Sequence, residues 1–238
     1  MSLLDWLYPK RCPICLDALP PGKKLICGPC RERVRRVESP TCMKCGKPLS
    51  DETFEYCKNC ESHMPPFVRG LSWAEYSSKY IRRMLTEVKY HENPQLLDYP
   101  CLDFAERIRK TVEEWQAEAL VPVPVHRSKL IERGYNQAEE ITKRLSKHLG
   151  LPSDSALLIR REKTRAQKEL TEIERRNNLA TAFFVPPQHT AYQTVILVDD
   201  IYTTGSTAEA CTRTLLNAGI SKVYFLSLAI GRDNRVSL

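Results

Sequence analysis

Two adjacent carboxylates, Asp199 and Asp200, precede a run of small hydroxyl side chains, Thr203, Thr204, Ser206 and Thr207, interrupted by Gly205. The hydroxyls donate hydrogen bonds and Gly205 permits close backbone approach. The amides entering a following helix point at the same spot, so an anion such as phosphate is favoured there. Phosphate alone does not account for the two acids, which repel it. Adjacent carboxylates suit hydrogen-bond donors such as sugar hydroxyls, or a hydrated Mg²⁺. A sugar phosphate satisfies both halves. No Gly-x-x-x-x-Gly-Lys is present, which excludes a nucleoside-triphosphate P-loop. An ordinary capped helix would explain Ser206 or Thr207 but leaves the acids without a reason.

The second chemical pattern is metallic. Cys12/Cys15, Cys27/Cys30, Cys42/Cys45 and Cys57/Cys60 are four C-x-x-C pairs at fifteen-residue intervals. Each pair puts two sulfurs on one side of a tight turn, and two pairs complete a closed tetrahedral site, so eight thiolates make two structural Zn²⁺ sites. Sequential pairing gives two zinc ribbons and interleaved pairing a cross-braced module. Short hairpins close with less loop entropy, which favours the sequential arrangement. An iron–sulfur cluster would need electron-transfer partners that nothing else in the chain suggests. His63, three residues after Cys60, is expected at the surface, since the thiolates already suffice. A closed Cys₄ site has no open position, so no catalysis is assigned there.

These residues need elements to position them. Thr194–Val198 reads as a strand buried on both faces, followed by the two acids, the polar loop and a helix Ala208–Asn217 capped by Ser206 or Thr207. Ala218-Gly219 ends that helix, and Lys222–Ala229 is a second buried strand. The polar loop therefore sits at the carboxyl end of a central strand, where open α/β sheets bind ligands. Upstream, Leu71–Tyr76 alternates as an exposed edge strand. Ser78–Tyr90 is helical with Ile81, Leu85 and Val88 on one face, and Leu102–Glu118 is a second amphipathic helix. Ala119–Val125 is a short strand running into prolines. His126, Arg127 and Lys129 follow it, and then a helix running to Leu149. Cys101 and Cys211 read as buried apolar residues. The fold class is α/β with a parallel sheet. Pro65-Pro66 marks the boundary between a zinc region, residues 1–65, and the α/β domain, residues 66–238.

The formal charge is +7, of which residues 1–65 carry +3. Two Cys₄ zinc sites would bring that region to −1 and the chain to +3, so net charge alone is a weak argument for nucleic acid. The arginine run Arg31–Arg36 reads as a solvated helical face or a contact for nucleic acid or protein. No apolar run approaches the length of a membrane span. The start, Leu3–Pro9, is too short and acidic for an export signal, which implies the cytoplasm and reduced thiols.

Val198–Thr207 resembles the phosphoribosyl pyrophosphate (PRPP) loop of type I phosphoribosyltransferases. The resemblance implies that Asp199 and Asp200 contact the ribose hydroxyls and that Thr203, Thr204, Gly205, Ser206 and Thr207 hold the 5′-phosphate, with Mg²⁺ bound alongside PRPP. It also implies a pyrophosphate loop at His126, Arg127 and Lys129, and a closing flap around Thr164–Leu179. The flanking segments Arg160–Arg176 and His126–Arg133 carry +3 and +2, positive charge placed where a polyanion would sit. Double zinc ribbon, Val-Pro-Val-Pro with Arg-Gly-Tyr-Asn-Gln, Thr-x-x-Gln with Arg-x-Asn, and the PRPP loop occur in the order seen in the ComF family, which the chain resembles over nearly its length. That likeness implies natural transformation at the cytoplasmic face of single-stranded DNA uptake, with a DNA-translocating helicase as partner. No segment reads as a nucleobase-recognising hood. Two readings follow for a protein that binds PRPP or ribose 5-phosphate: a transferase acting on PRPP, and a non-catalytic PRPP sensor or single-stranded-DNA adaptor.

Overall fold

The computed structural model describes residues 9–20, 22, 24–91, 93–161, 182–187 and 192–233. The expected flap, the amino-terminal turn and the last five residues lie outside them. Two short helices belong to the zinc region, α1 (Gly28–Arg31) and α2 (Lys58–Ser62). Then follow β1 (Gly70–Glu75), α3 (Lys79–Tyr90), α4 (Asp98–Trp115), β2 (Ala119–Pro122), α5 (Arg127–Arg133) and α6 (Gln137–Leu149). The chain continues through β3 (Ile159–Arg160), β4 (Phe183–Phe184), β5 (Thr194–Tyr202), α7 (Ser206–Asn217) and β6 (Lys222–Ile230).

Four strands form one parallel sheet in the order β1-β6-β5-β2, and β3 and β4 make a separate antiparallel pair. The parallel α/β fold is as the sequence suggested. β5 and β6 are central, which is why both read as continuous apolar runs. Alternation along β5 splits the core in two. Ile196 and Val198 join Ile81, Leu85, Phe104 and Ile141 on one face, while Val195 and Leu197 join Cys211, Leu215 and Phe225 on the other. Each face takes one half of the zinc region. Cys12, Ile14, Leu19 and Ile26 pack into the first core, and Cys42, Cys45, Leu49 and Cys60 into the second.

Several elements differ from expectation. β1 is an edge strand but not an exposed one, because the segment joining the two halves of the zinc region runs along it. The Val37 amide donates to the Trp73 carbonyl (3.0 Å) and the Glu75 amide to the Arg35 carbonyl (3.0 Å). The end of the arginine run is thus extended chain, and Arg36 forks onto Asp103 of α4 with two bonds of 2.8 Å. Trp73 Nε1 donates to the same carboxylate at 2.7 Å. α4 starts at Asp98 rather than Leu102, since Pro100 falls in the first turn, where a missing N–H costs no helical bond. It stops at Trp115, three residues earlier than the pattern implied, where Gln116 turns left-handed at φ 50°. β5 runs through both acids to Tyr202 instead of ending before them. No helix among the described residues is long and apolar enough to cross a membrane.

Candidate functional site

The eight cysteines form two clusters, Cys12/15/27/30 and Cys42/45/57/60, whose sulfurs lie within 4.8 Å of one another. Pairing is therefore sequential, as loop entropy favoured. Cys15 and Cys27 Sγ are 3.9 Å apart, and Cys45 and Cys57 Sγ 3.6 Å. A tetrahedron with Zn–S bonds of about 2.3 Å has edges of about 3.8 Å, so both clusters fit Zn²⁺. The knuckles are built alike. Leu16 N bonds Cys12 O and Gly46 N bonds Cys42 O, each at 2.9 Å. The second knuckle of each half starts a helix, α1 after Cys27 and α2 after Cys57. Burial opposes ionisation of Cys12, yet backbone hydrogen bonds at Cys27, Cys15 and Ile14 outweigh it and bring the thiol down to about 7, whereas burial pushes the Cys15 and Cys30 thiols up.

Burial separates the two sites. Cys42, Cys45, Cys57 and Cys60 are all at most 2% exposed, whereas Cys15 and Cys27 of the first site are only half-buried. Neither cluster recruits His63. Its ring stands three residues beyond Cys60, with Nε2 2.9 Å from Glu209 Oε1.

On β5 the two acids turn to different neighbours. Asp200 meets Lys89 of α3 at 2.8 Å, while Asp199 accepts the Asp200 amide at 2.8 Å and its charge is felt by Cys211 of α7. Burial first, and then the Asp200 charge, push the Asp199 carboxyl well above the usual range. Two such oxygens are donors that a hydrated Mg²⁺ accepts, and Lys89 already occupies part of that role. The hydroxyl loop follows two residues later. Helix α7 begins at Ser206, with Gly205 as its cap at φ 87°, rather than with Ser206 or Thr207 capping a later start. A side chain at Gly205 would be strained at that φ and would also collide with the Tyr202 ring, 2.8 Å from its Cζ. Thr203 and Thr204 are exposed, Ser206 and Thr207 half-buried, and Thr204 Oγ1 lies 3.0 Å from Ser206 Oγ.

The three residues matched to the pyrophosphate loop lie on α5 or cap it. His126 Nδ1 accepts the Ser128 amide at 3.1 Å, holding the helix start, and Arg127 is exposed in the first turn. Lys129 has its ammonium pKa lowered, by burial first and then by Arg133, Arg160 and Lys89, with Asp200 opposing. Sequence reasoning had not placed Lys89 of α3 at Asp200, because the two come from separate elements.

The loop opens into a pocket of about 90 Å³ with walls from both parts of the chain. Tyr202, Thr204, Gly205, Ser206 and Glu209 form one side, and Asn59, Ser62, His63 and Pro65 the other. Tyr202 anchors the floor, edge-on to Phe67 at 6.2 Å and tilted on Phe225 at 5.2 Å. Burial raises its phenol pKa, and the four thiols of the second zinc site raise it further. Nothing in the sequence linked the zinc region to this loop, apart from the position of His63 just past the last cysteine.

A double zinc ribbon in front of a parallel α/β sheet is the class these features define, and the Double zinc ribbon domain family matches residues 3–61. Relatives extend the likeness to nearly the whole chain. Competence protein F of Haemophilus influenzae is 29% identical over 92% of this chain and 96% of its own. Competence protein ComFC of Bacillus subtilis is 27% identical over 86% and 82%, and the DNA utilization protein YhgH of Escherichia coli K12 28% over 90% and 94%. The chain is thus similar over most of its length to two competence proteins and to a DNA utilization protein. Among solved structures, a glutamine PRPP amidotransferase from B. subtilis aligns over 60% of this chain and 30% of its own (TM-score 0.40, 12% identity). A purine phosphoribosyltransferase from Pyrococcus horikoshii aligns over 60% and 78% (TM-score 0.35, 20% identity). Likeness at that level carries no argument about the site.

Proposed function

We propose that this protein binds PRPP, or ribose 5-phosphate, together with Mg²⁺ at the carboxyl end of β5, and that it acts in natural competence on the cytoplasmic side of DNA uptake. One observation carries the ligand reading: a Gly205-capped helix start with Thr203, Thr204, Ser206 and Thr207 follows Asp199 and Asp200 at the end of a central parallel strand. The names of the relatives supply the competence role. In this reading the loop amides and hydroxyls hold the 5′-phosphate, and the acids take the ribose hydroxyls. Arg127 and Lys129 would take the pyrophosphate, and Asp199 and Asp200 would hold a hydrated Mg²⁺, which would supply charge neutralisation for the leaving pyrophosphate.

As a transferase, the chain would let a nucleophile form a bond to C1′ as the bond to pyrophosphate oxygen breaks and its electrons leave with pyrophosphate. The transition state is cationic at C1′, so positioning and charge do most of the work and no general base is required. A second reading, a PRPP sensor or an adaptor that passes single-stranded DNA to a translocating helicase, draws on Tyr90. That ring is 60% exposed with the Arg133 guanidinium 5.3 Å above it, the cation–aromatic pairing on which unpaired bases stack.

Calorimetry with PRPP and Mg²⁺ tests the site. Thr204→Ala with Gly205→Val is expected to abolish binding while zinc content stays intact; unchanged affinity would mean the loop is misassigned. Pyrophosphate release in the presence of candidate acceptors separates the two readings. Release that disappears in Asp200→Asn supports the enzyme, whereas binding without any release supports the sensor or adaptor.

A further inference from the structure

We propose that the second zinc ribbon is part of the ligand site of the α/β domain. Its helix α2 walls the anion pocket opposite Thr204–Ser206, and His63 offsets the Glu209 carboxylate that would otherwise repel the anion. This inference rests on the phosphate reading of the loop and names chain segments that the reading did not include.

The geometry is asymmetric between the ribbons. α2 begins directly after Cys57 and contains Cys60, so metal at the second site fixes where Asn59, Ser62 and His63 stand. Ser62 Oγ is tied back to the Lys58 carbonyl at 3.0 Å and the Asn59 carbonyl at 3.1 Å, which keeps that wall rigid. Tyr202 joins the two sides, lining the pocket and packing on Phe67 at the foot of the ribbon. The volume of about 90 Å³ is well under the roughly 300–1,000 Å³ that a whole drug-sized ligand occupies, so this recess suits only the phosphate end of a longer molecule.

Charge poses the remaining problem. Glu209 sits in the first turn of α7 and lines the same recess, where a carboxylate opposes phosphate. Burial alone would favour its neutral form, but hydrogen bonds from His63 and Arg213 outweigh that and keep its pKa low. Arg213 reaches it at 2.9 Å along the helix, and His63 at 2.9 Å from the ribbon. Of the two partners, only His63 lines the pocket, so the ribbon supplies the compensating donor at the recess itself.

The test uses the intact, zinc-loaded chain with PRPP and Mg²⁺ as the probe, calorimetry for affinity and a zinc count per chain. His63→Ala is expected to weaken binding roughly fivefold to tenfold, and Glu209→Gln in that background to restore it, at unchanged zinc content. A purely structural role for His63 would not be rescued by removing the opposing charge. Ser62→Trp, which fills the recess from the ribbon side, is expected to weaken binding by about tenfold or more. Cys15→Ser is expected to lose one zinc and keep wild-type affinity. The inference is overturned if Gly205→Val abolishes binding while His63→Ala and Ser62→Trp bind as wild type. If the wild type fails to bind, or Gly205→Val binds normally, the phosphate reading itself fails and this inference falls with it.

Discussion

The two zinc ribbons are near copies in sequence spacing and knuckle geometry, yet the fold uses them differently. Residue for residue, Leu16 in the first and Gly46 in the second hold the same left-handed position, at φ 68° and 74°. The first ribbon tolerates a leucine there and buries it in the core it shares with α3 and α4. The second cannot, because a Cβ at Gly46 would lie 2.6 Å from the Gly70 carbonyl oxygen at the start of β1. At this matched position one copy leans on the core with a side chain, while the other brings bare backbone against β1, and its following helix reaches the Thr204–Ser206 loop. A repeated metal module is therefore packed against the sheet in one place and set beside the Thr204–Ser206 loop in another, and single residues at matched positions distinguish the two.

Metal removal should expose the difference most strongly. Each structural zinc contributes apparent binding energy of about 10–16 kcal/mol, and the half-buried thiols of the first site give a chelator an approach that the second lacks. We expect two equal phases of zinc release, with the fast one missing in Cys15→Ser. A single phase would mean the ribbons open together and the contrast is false.

The junction between the ribbons comes next. Asp103→Ala leaves the partly buried Arg36 without its carboxylate and strips Trp73 of its acceptor, so a loss of about 3–5 kcal/mol in urea unfolding is expected. Burial would raise the Asp103 pKa, but Arg36, Trp73 and Tyr99 hold it below its ordinary value of 3.8. Its contribution is therefore fully present above pH 4 and lost as pH falls through the lower, folded-state value. Asp103→Ala should flatten the acid limb of the stability profile below about pH 4.

The exchange of matched residues comes last, and its smaller member, Leu16→Gly, should give the smallest effect. Gly46→Leu combines left-handed strain with a backbone overlap and should cost about 3 kcal/mol or more. Leu16→Gly loses about 2–3 kcal/mol of burial and recovers about 1 kcal/mol of strain. Equal costs for the two, measured by denaturant midpoints, would erase the asymmetry.

Much of this architecture is written in local patterns. Four C-x-x-C pairs specify two metal sites, with loop entropy favouring the sequential pairing, and the apolar runs of β5 and β6 specify a parallel sheet, because short-range spacing and burial on two faces leave direct traces. Ile81, Leu85 and Val88 marked α3 for the same reason. Boundaries were harder. The helix expected from Leu102 starts a turn earlier at Asp98, with Pro100 harmless in that turn, and the strand expected to end before the carboxylates continues to Tyr202. What could not be read was the tertiary meeting of distant segments. Lys89 at Asp200, and His63 at Glu209, are separated by more than a hundred residues and carry no shared motif.

Both margins of the sheet are occupied from within the chain. Arg35–Val37 runs antiparallel beside β1, and beyond β2 the Leu120 amide donates to the Pro152 carbonyl at 2.8 Å while Asp154 N returns to the Leu120 carbonyl at 2.9 Å. A foreign strand approaching either flank meets peptide groups that are already spoken for. Strand addition to this sheet, by a second copy or by a partner, is therefore disfavoured.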